Sequence, residues 1–191
     1  ILADGVIGQM MEKVVLPEQR PRLTNEEVMA RCPWATFGKL KHRGPNIVTS
    51  LELDPAEMEK RNIHLQQKYA EIEEKEVRYE EIHCDDAEYL IVAFGSCARI
   101  AQKAMEEARA EGIKVGLLRP ITLWPFPSKA IAERSRQVKG ILTVELNAGQ
   151  MVEDVRLAVE CKVPVEYFGR LGGIVPDPDE VVTALKEKII K

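Results

Sequence analysis

Four short apolar runs, each followed by a turn and a helix-period stretch, restrict the folds open to this chain more than any other feature. Leu90-Ile91-Val92-Ala93-Phe94 comes first, then Lys114-Val115-Gly116-Leu117-Leu118, Gly140-Ile141-Leu142-Thr143-Val144 and Val163–Phe168. They are continuous rather than alternating, as in strands with both faces covered. After Gly95-Ser96, residues Ile100, Ala101, Ala104, Met105 and Ala108 share one side of a helix that closes at Gly112. Lys129–Gln137 and Met151–Val159 read as further helices, the second with Met151, Val155, Leu157 and Val159 among its apolar positions. A last amphipathic helix begins at Asp179 and ends near Lys191. Strand, helix and parallel strand in succession cross over right-handedly. The fold class is therefore α/β: an open, mostly parallel sheet with helices on both faces, over residues 87–191.

The upstream half reads differently. The chain opens with Ile1-Leu2-Ala3-Asp4-Gly5, an apolar run into a turn, which reads as a strand whose partners lie elsewhere. We expect this chain to be a fragment whose preceding domain supplied them. Residues 16–86 read as a linker that carries a surface helix. Between Leu16 and Ser50 no period is sustained, and Pro17, Pro21, Pro33, Pro45, Gly38 and Gly44 interrupt it. Thr24 ahead of Glu26 and Glu27 marks a short helix over Glu26–Arg31. Asp54-Pro55 starts a longer one, running to about Glu76 with Met58, Leu65, Tyr69 and Ile72 near one face.

Composition excludes several classes. A net charge of -4 and a pI near 5.6 argue against a nucleic-acid partner. No apolar run approaches the roughly 18 residues of a spanning helix, and no signal peptide is evident. The four cysteines, Cys32, Cys84, Cys97 and Cys161, stand alone, so neither a redox pair nor an iron–sulfur motif is present. Lone thiols point to a reducing, cytoplasmic setting.

Candidate functional residues lie in the loops after the strands, where open α/β sheets gather their sites. Ser96 caps a helix or helps hold an anion there, but no G-x-G-x-x-G or phosphate-loop lysine accompanies it. Arg119-Pro120-Ile121-Thr122-Leu123-Trp124-Pro125-Phe126-Pro127 is the most unusual stretch, its prolines disfavouring helix and interior strand alike. Two readings of Trp124 and Phe126 stay open: contact with a partner, or cover for the end of this domain's own core. Arg119 either binds a phosphate or carboxylate or forms a structural ion pair. Glu145, before the turn Asn147–Gln150, is an acid–base candidate or a structural carboxylate. Gly169-Arg170-Leu171-Gly172-Gly173 permits close backbone approach. His42, His64 and His83 are far apart in sequence, and no metal site or hydrolytic triad can be assembled.

These pieces carry a resemblance. Glu88–Ser96, Gly112–Pro127, Glu145-Leu146-Asn147-Ala148-Gly149-Gln150-Met151 and Gly169–Gly173 resemble, in order and spacing, the transketolase C-terminal-like domain of 2-oxoacid:ferredoxin oxidoreductase α subunits. Asp4–Glu12 is similar to the end of the preceding pyrimidine-binding domain, placing that boundary at 1–15. The opening run, Asn62 and Lys68-Tyr69 resemble the 2-oxoisovalerate type more than the pyruvate type.

The resemblance implies an enzyme complex that decarboxylates a 2-oxoacid on thiamine diphosphate with Mg, reduces ferredoxin, and passes the acyl group to coenzyme A. It implies partner subunits: a β subunit with the pyrophosphate domain, a γ subunit, and a ferredoxin-like δ subunit, with the iron–sulfur clusters on other chains. The activating carboxylate belongs upstream, so no residue here inherits a catalytic, cofactor-binding or metal role, and the isolated chain is expected to be inactive. Arg119, Trp124, Phe126, Asn147, Gln150 and Arg170 remain as candidates for subunit contact or for shaping the site. Two rivals stand beside this reading: a transketolase-like or 2-oxoacid dehydrogenase β-type enzyme, and a free-standing α/β interaction module.

Overall fold

A computed structural model of the chain describes residues 5–9, 11, 13–35, 38 and 44–190. The opening run Ile1–Asp4 and His42 lie outside them. The chain forms two units, one of residues 11–64 and one of residues 1–10 with 65–191.

Gly5, read as a turn, instead opens a short helix, α1 (Gly5–Gln9). Two of its five residues are glycine, a poor helix former, so nothing in the sequence announces it. Helix α2 (Asn25–Arg31) begins at a reciprocal cap. Glu27 N–H donates to Thr24 Oγ1 at 3.2 Å while Thr24 N–H donates to Glu27 Oε2 at 2.8 Å. Helix α3 (Pro55–Lys75) starts where Asp54 and Pro55 place it. The Asp54 carboxylate accepts from the Ala56 and Glu57 amides at 2.8 and 3.2 Å. No α3 side chain is fully buried, and Met58, Leu65 and Ile72 are half-buried, as a single stripe on a wet helix should be. Residues 13–24 and 44–53 are neither helix nor strand.

The sheet comprises β1 (Tyr79–Ile82), β2 (Tyr89–Ala93), β3 (Val115–Pro120), β4 (Ile141–Glu145) and β5 (Val165–Gly169), in spatial order β1-β3-β2-β4-β5. Strands β2 to β5 are parallel, with Leu90 beside Ile141 and Ile141 beside Val165. Strand β1 runs antiparallel to β3, with Glu80 opposite Arg119. The sheet is thus mixed, and its fifth strand comes from the stretch read as linker. Three of the four β1 residues are exposed, so no apolar run or alternation marks it. Cross-strand pairing of Glu80 with Arg119 holds it instead.

Helices α4 (Gly95–Ala110) and α7 (Pro178–Leu185) cover one face with Ala101, Ala104, Met105, Ala108, Val181 and Leu185 against Ile91, Leu117 and Leu142. Helices α5 (Ser128–Arg134) and α6 (Met151–Val159) cover the other, packing Ile131, Met151, Val155 and Val159 against Leu90, Val92, Leu118 and Ile141. Alternate strand residues feed opposite cores, which is why these strands read as continuous apolar runs.

Several boundaries shift. Helix α5 ends at Arg134 rather than Gln137; Ser135 Oγ donates to Ala132 O at 2.8 Å in the turn that follows. Strand β3 continues through Arg119 and Pro120. Its pairing with β2 ends at Val92 beside Leu118, so among the strands Pro120 pairs with β1 alone, at a strand end where a missing N–H is tolerated. Leu157, one of the apolar positions of α6, is exposed. It lies two residues from both Val155 and Val159, about 200° round the helix from each, and so faces out. Helix α7 starts with Asp177 as cap and Pro178 in its first turn, and a π-helical turn, Lys186–Ile190, extends it.

Candidate functional site

Turns at the carboxyl ends of β3, β4 and β5 bring the candidate residues to one end of the sheet in two groups, and β2 lies between the strands that carry them. The first group follows β3. Arg119 donates through Nη1 to Glu80 Oε2 at 3.0 Å, so the ion-pair reading holds. The same guanidinium has a buried Nε without a partner. The two aromatics divide the open question between them. Phe126 packs against the α5/α6 core, flanked by the buried prolines Pro125 and Pro127. Trp124, joined to Pro125 by a cis bond, is 56% exposed and meets Tyr69 of α3 edge-to-face at 5.6 Å.

The second group surrounds Glu145, the last residue of β4, whose side chain is fully buried. Glu145 Oε2 accepts from Asn147 Nδ2 at 3.1 Å, Gln150 N at 3.2 Å and Met151 N at 2.8 Å, and Oε1 accepts from Val152 N at 3.0 Å. Gln150 occupies the cap position of α6 without a side-chain bond of its own. The buried carboxylate does that work from five residues upstream, satisfying amides that a helix start otherwise leaves open and opposing its positive end. Asn147 closes the turn, its Oδ1 accepting from Gly149 N at 2.7 Å and its carbonyl taking the Tyr167 hydroxyl. Arg170 binds back twice: its amide donates to Glu145 O at 3.4 Å and its Nη1 to Glu180 Oε1 at 2.8 Å.

This arrangement overturns the acid–base reading of Glu145. Both of its oxygens are engaged and neither side chain face meets solvent, so it has no substrate to reach. Its charge is felt by its neighbours. Burial, then Glu153 and Glu145, raise the Asp154 carboxyl above its ordinary range. Burial, then Glu145 and Cys97, raise the Tyr167 phenol. Tyr69 and Tyr167 are site residues that the sequence reading passed over; each contacts a partner far along the chain, and no local pattern signals that.

Around these polar anchors the same end of the sheet exposes Ile121, Trp124, Leu146, Leu171, Ile174 and Val175. Among the described residues no group of three His, Cys, Asp or Glu side chains could hold a metal ion. Burial pushes the Cys84 thiol up to about 11, with its Sγ 3.3 Å from Leu117 O, which makes it an inert core group. No helix among the described residues is long and apolar enough to cross a membrane. Among the described residues, the end of the sheet carries exposed apolar side chains beside the hydrogen-bonded Glu145 and Arg119.

Comparison with known proteins identifies the family and the fold. Residues 87–181 match the family "Pyruvate:ferredoxin oxidoreductase core domain II". Ketoisovalerate oxidoreductase subunit VorB of Methanothermobacter thermautotrophicus is 46% identical over 98% of this chain and 51% of its own length. 2-oxoglutarate synthase subunit KorA of Archaeoglobus fulgidus is 30% identical over 93% of this chain and 49% of its own. The chain therefore spans about half the length of the curated relatives it matches. Among solved structures, 2-oxoglutarate:ferredoxin oxidoreductase from Magnetococcus marinus superposes with a TM-score of 0.63 at 24% identity. That match covers 71% of this chain and 24% of the other, and it establishes the shared fold.

Proposed function

The chain belongs to the 2-oxoacid:ferredoxin oxidoreductase family, with residues 87–181 as its core domain II, and from that premise we propose that it serves as the non-catalytic, assembly-forming part of one subunit of such an enzyme. The complex would oxidatively decarboxylate a branched-chain 2-oxoacid to its acyl-coenzyme A and reduce ferredoxin, in the cytoplasm. The higher identity to the ketoisovalerate subunit, 46% against 30% for the 2-oxoglutarate subunit, supports the branched-chain choice.

Thiamine diphosphate and its Mg do not fit the residues described here. The one buried carboxylate at the strand ends is saturated by amides, and no acidic group suited to a cation exists among the described residues. We assign the cofactor to the rest of the subunit and to a β partner, and the iron–sulfur clusters to γ- and δ-type chains. No chemical step is routed through this domain.

The observation that carries the assembly role is the exposed Trp124, fixed on one side by Tyr69 and bordered by apolar residues on the same sheet end. A rigid aromatic of this kind is the usual anchor of a protein interface. Trp124→Ala should change the urea midpoint of the chain by little, within about 0.5 kcal/mol as for surface positions. It should nevertheless weaken association with the partner subunits at least about tenfold, as loss of an interface anchor does. Partners that co-purify with the variant as well as with the parent would remove Trp124 from the interface.

The activity itself is tested on the full-length subunit co-expressed with its partner chains and purified without oxygen. Viologen reduction is followed with 2-oxoisovalerate, 2-oxoglutarate and pyruvate, each with coenzyme A and thiamine diphosphate. Fastest reduction with 2-oxoisovalerate is expected. Another preferred oxoacid would keep the reaction and overturn the substrate. Dependence on lipoamide in place of a low-potential acceptor would overturn the reaction.

A further inference from the structure

Strand β5 closes one side of the sheet and, among the described residues, pairs with β4 alone. Its sequence, Val165-Glu166-Tyr167-Phe168-Gly169, combines β-branched and aromatic residues with a single charge, a composition prone to strand pairing. The backbone alternates. Pro164 O accepts from Ile141 N–H at 2.9 Å and Glu166 O from Thr143 Oγ1 at 3.1 Å, so these carbonyls turn toward β4. Those of Val165 and Tyr167, between and beyond them, turn outward.

Each outward carbonyl takes a cation, and the two cations come from opposite faces of the sheet. Arg156 of α6 donates Nη2 to Val165 O at 3.2 Å. Lys188 of the π-helical turn donates Nζ to Tyr167 O at 2.9 Å. That turn is seated by Ile189, which packs where a side chain on Gly140 would stand: a Cβ there would lie 2.7 Å from Ile189 Cγ2. The wider winding of a π turn places Lys188 over the strand edge while Ile189 and Ile190 reach the core. The opposite edge has no such need, since β1 is four residues long and carries Glu80 and Glu81.

We propose that Arg156 and Lys188 are edge caps: together they occupy the acceptors that the β5 edge of a second copy would otherwise use, and so keep the subunit from self-pairing through this strand. An incoming strand must displace both charge-assisted bonds before it can form its own ladder. Either cation alone leaves one acceptor open.

The test uses Arg156→Met, Lys188→Met and the double variant in the full-length subunit; methionine keeps length and apolar contact while removing the donors. Self-association is read by sedimentation velocity over a wide range of concentration, with hydrogen exchange at residues 165–169. Each cap removed should raise the association constant about tenfold, the ordinary worth of one such bond. Amide protection should rise along β5 in the associated form, and Lys188→Arg should behave as the parent. A folded double variant that keeps the parent's size overturns the proposal, as does association that leaves β5 exchange unchanged. Lys188 is exposed, so Lys188→Met alone decides the matter should the double variant not fold.

Discussion

Glu145→Ala should cost about 4 kcal/mol of stability, because it leaves the buried Met151 and Val152 amides, and the part-buried Gln150 amide and Asn147 side-chain amide, without their acceptor. Each such orphan costs about 1–3 kcal/mol alone, and the four share one carboxylate, so the sum is less than additive. The start of α6 should fray first, and with it the packing of Met151 and Val155. Glu145→Gln separates charge from geometry. If the retained oxygen takes the Oε2 place, the new NH2 faces the Val152 amide donor to donor, and about half the loss is expected. Urea midpoints of both variants, with hydrogen exchange of the Gln150–Val152 amides, check this. A Glu145→Ala chain with the parent midpoint would mean that other acceptors replace the carboxylate.

Gly169→Ala is the second large effect, about 3 kcal/mol by overpacking. A Cβ at this position would stand 2.7 Å from the Glu145 carbonyl and 2.6 Å from Tyr167 Cζ. The carbonyl is main chain held in the sheet and cannot retreat without moving β4. Gly140→Ala makes the control, since its closest obstacle at 2.7 Å is the Cγ2 methyl of Ile189, a side-chain atom on the half-exposed π-helical turn rather than main chain held in the sheet. Thermal unfolding should therefore rank Gly169→Ala well below Gly140→Ala. In a double-mutant cycle, Gly169→Ala and Tyr167→Leu should cost less together than their sum, because shortening residue 167 relieves part of the clash. Additive losses would show that the ring is not the obstacle.

What the sequence disclosed, and what it did not, divides along physical lines. Strands β2 to β5 and helices α4 to α7 were legible because burial on two faces leaves long apolar runs and one-sided stripes. Caps at Thr24 and Asp54 follow local chemistry and were equally plain, whereas the last helix was started at Asp179, two residues past its cap Asp177. Strand β1 was invisible, since its residues are exposed and its stability rests on Arg119 and Arg134, 39 and 53 positions away. At the site, Arg119, Trp124, Phe126, Asn147, Gln150 and Arg170 were chosen from the strand ends and the turns after them, and the structure places them at one end of the sheet. Which of them face solvent and which face Glu145 depends on contacts up to 55 residues apart in sequence, such as Tyr69 to Trp124, and no local pattern encodes that.

The edge caps bear on how this domain is dissected. The family's boundaries, residues 87–181, enclose the four parallel strands but omit both β1 and the turn that carries Lys188. A piece excised along those lines would strip β3 of its antiparallel neighbour and β5 of one cation in the same cut. The family-matched segment and the complete sheet with its edge caps are therefore different objects, and the second is the larger by a strand in front and by the end of α7 with its π-helical turn behind.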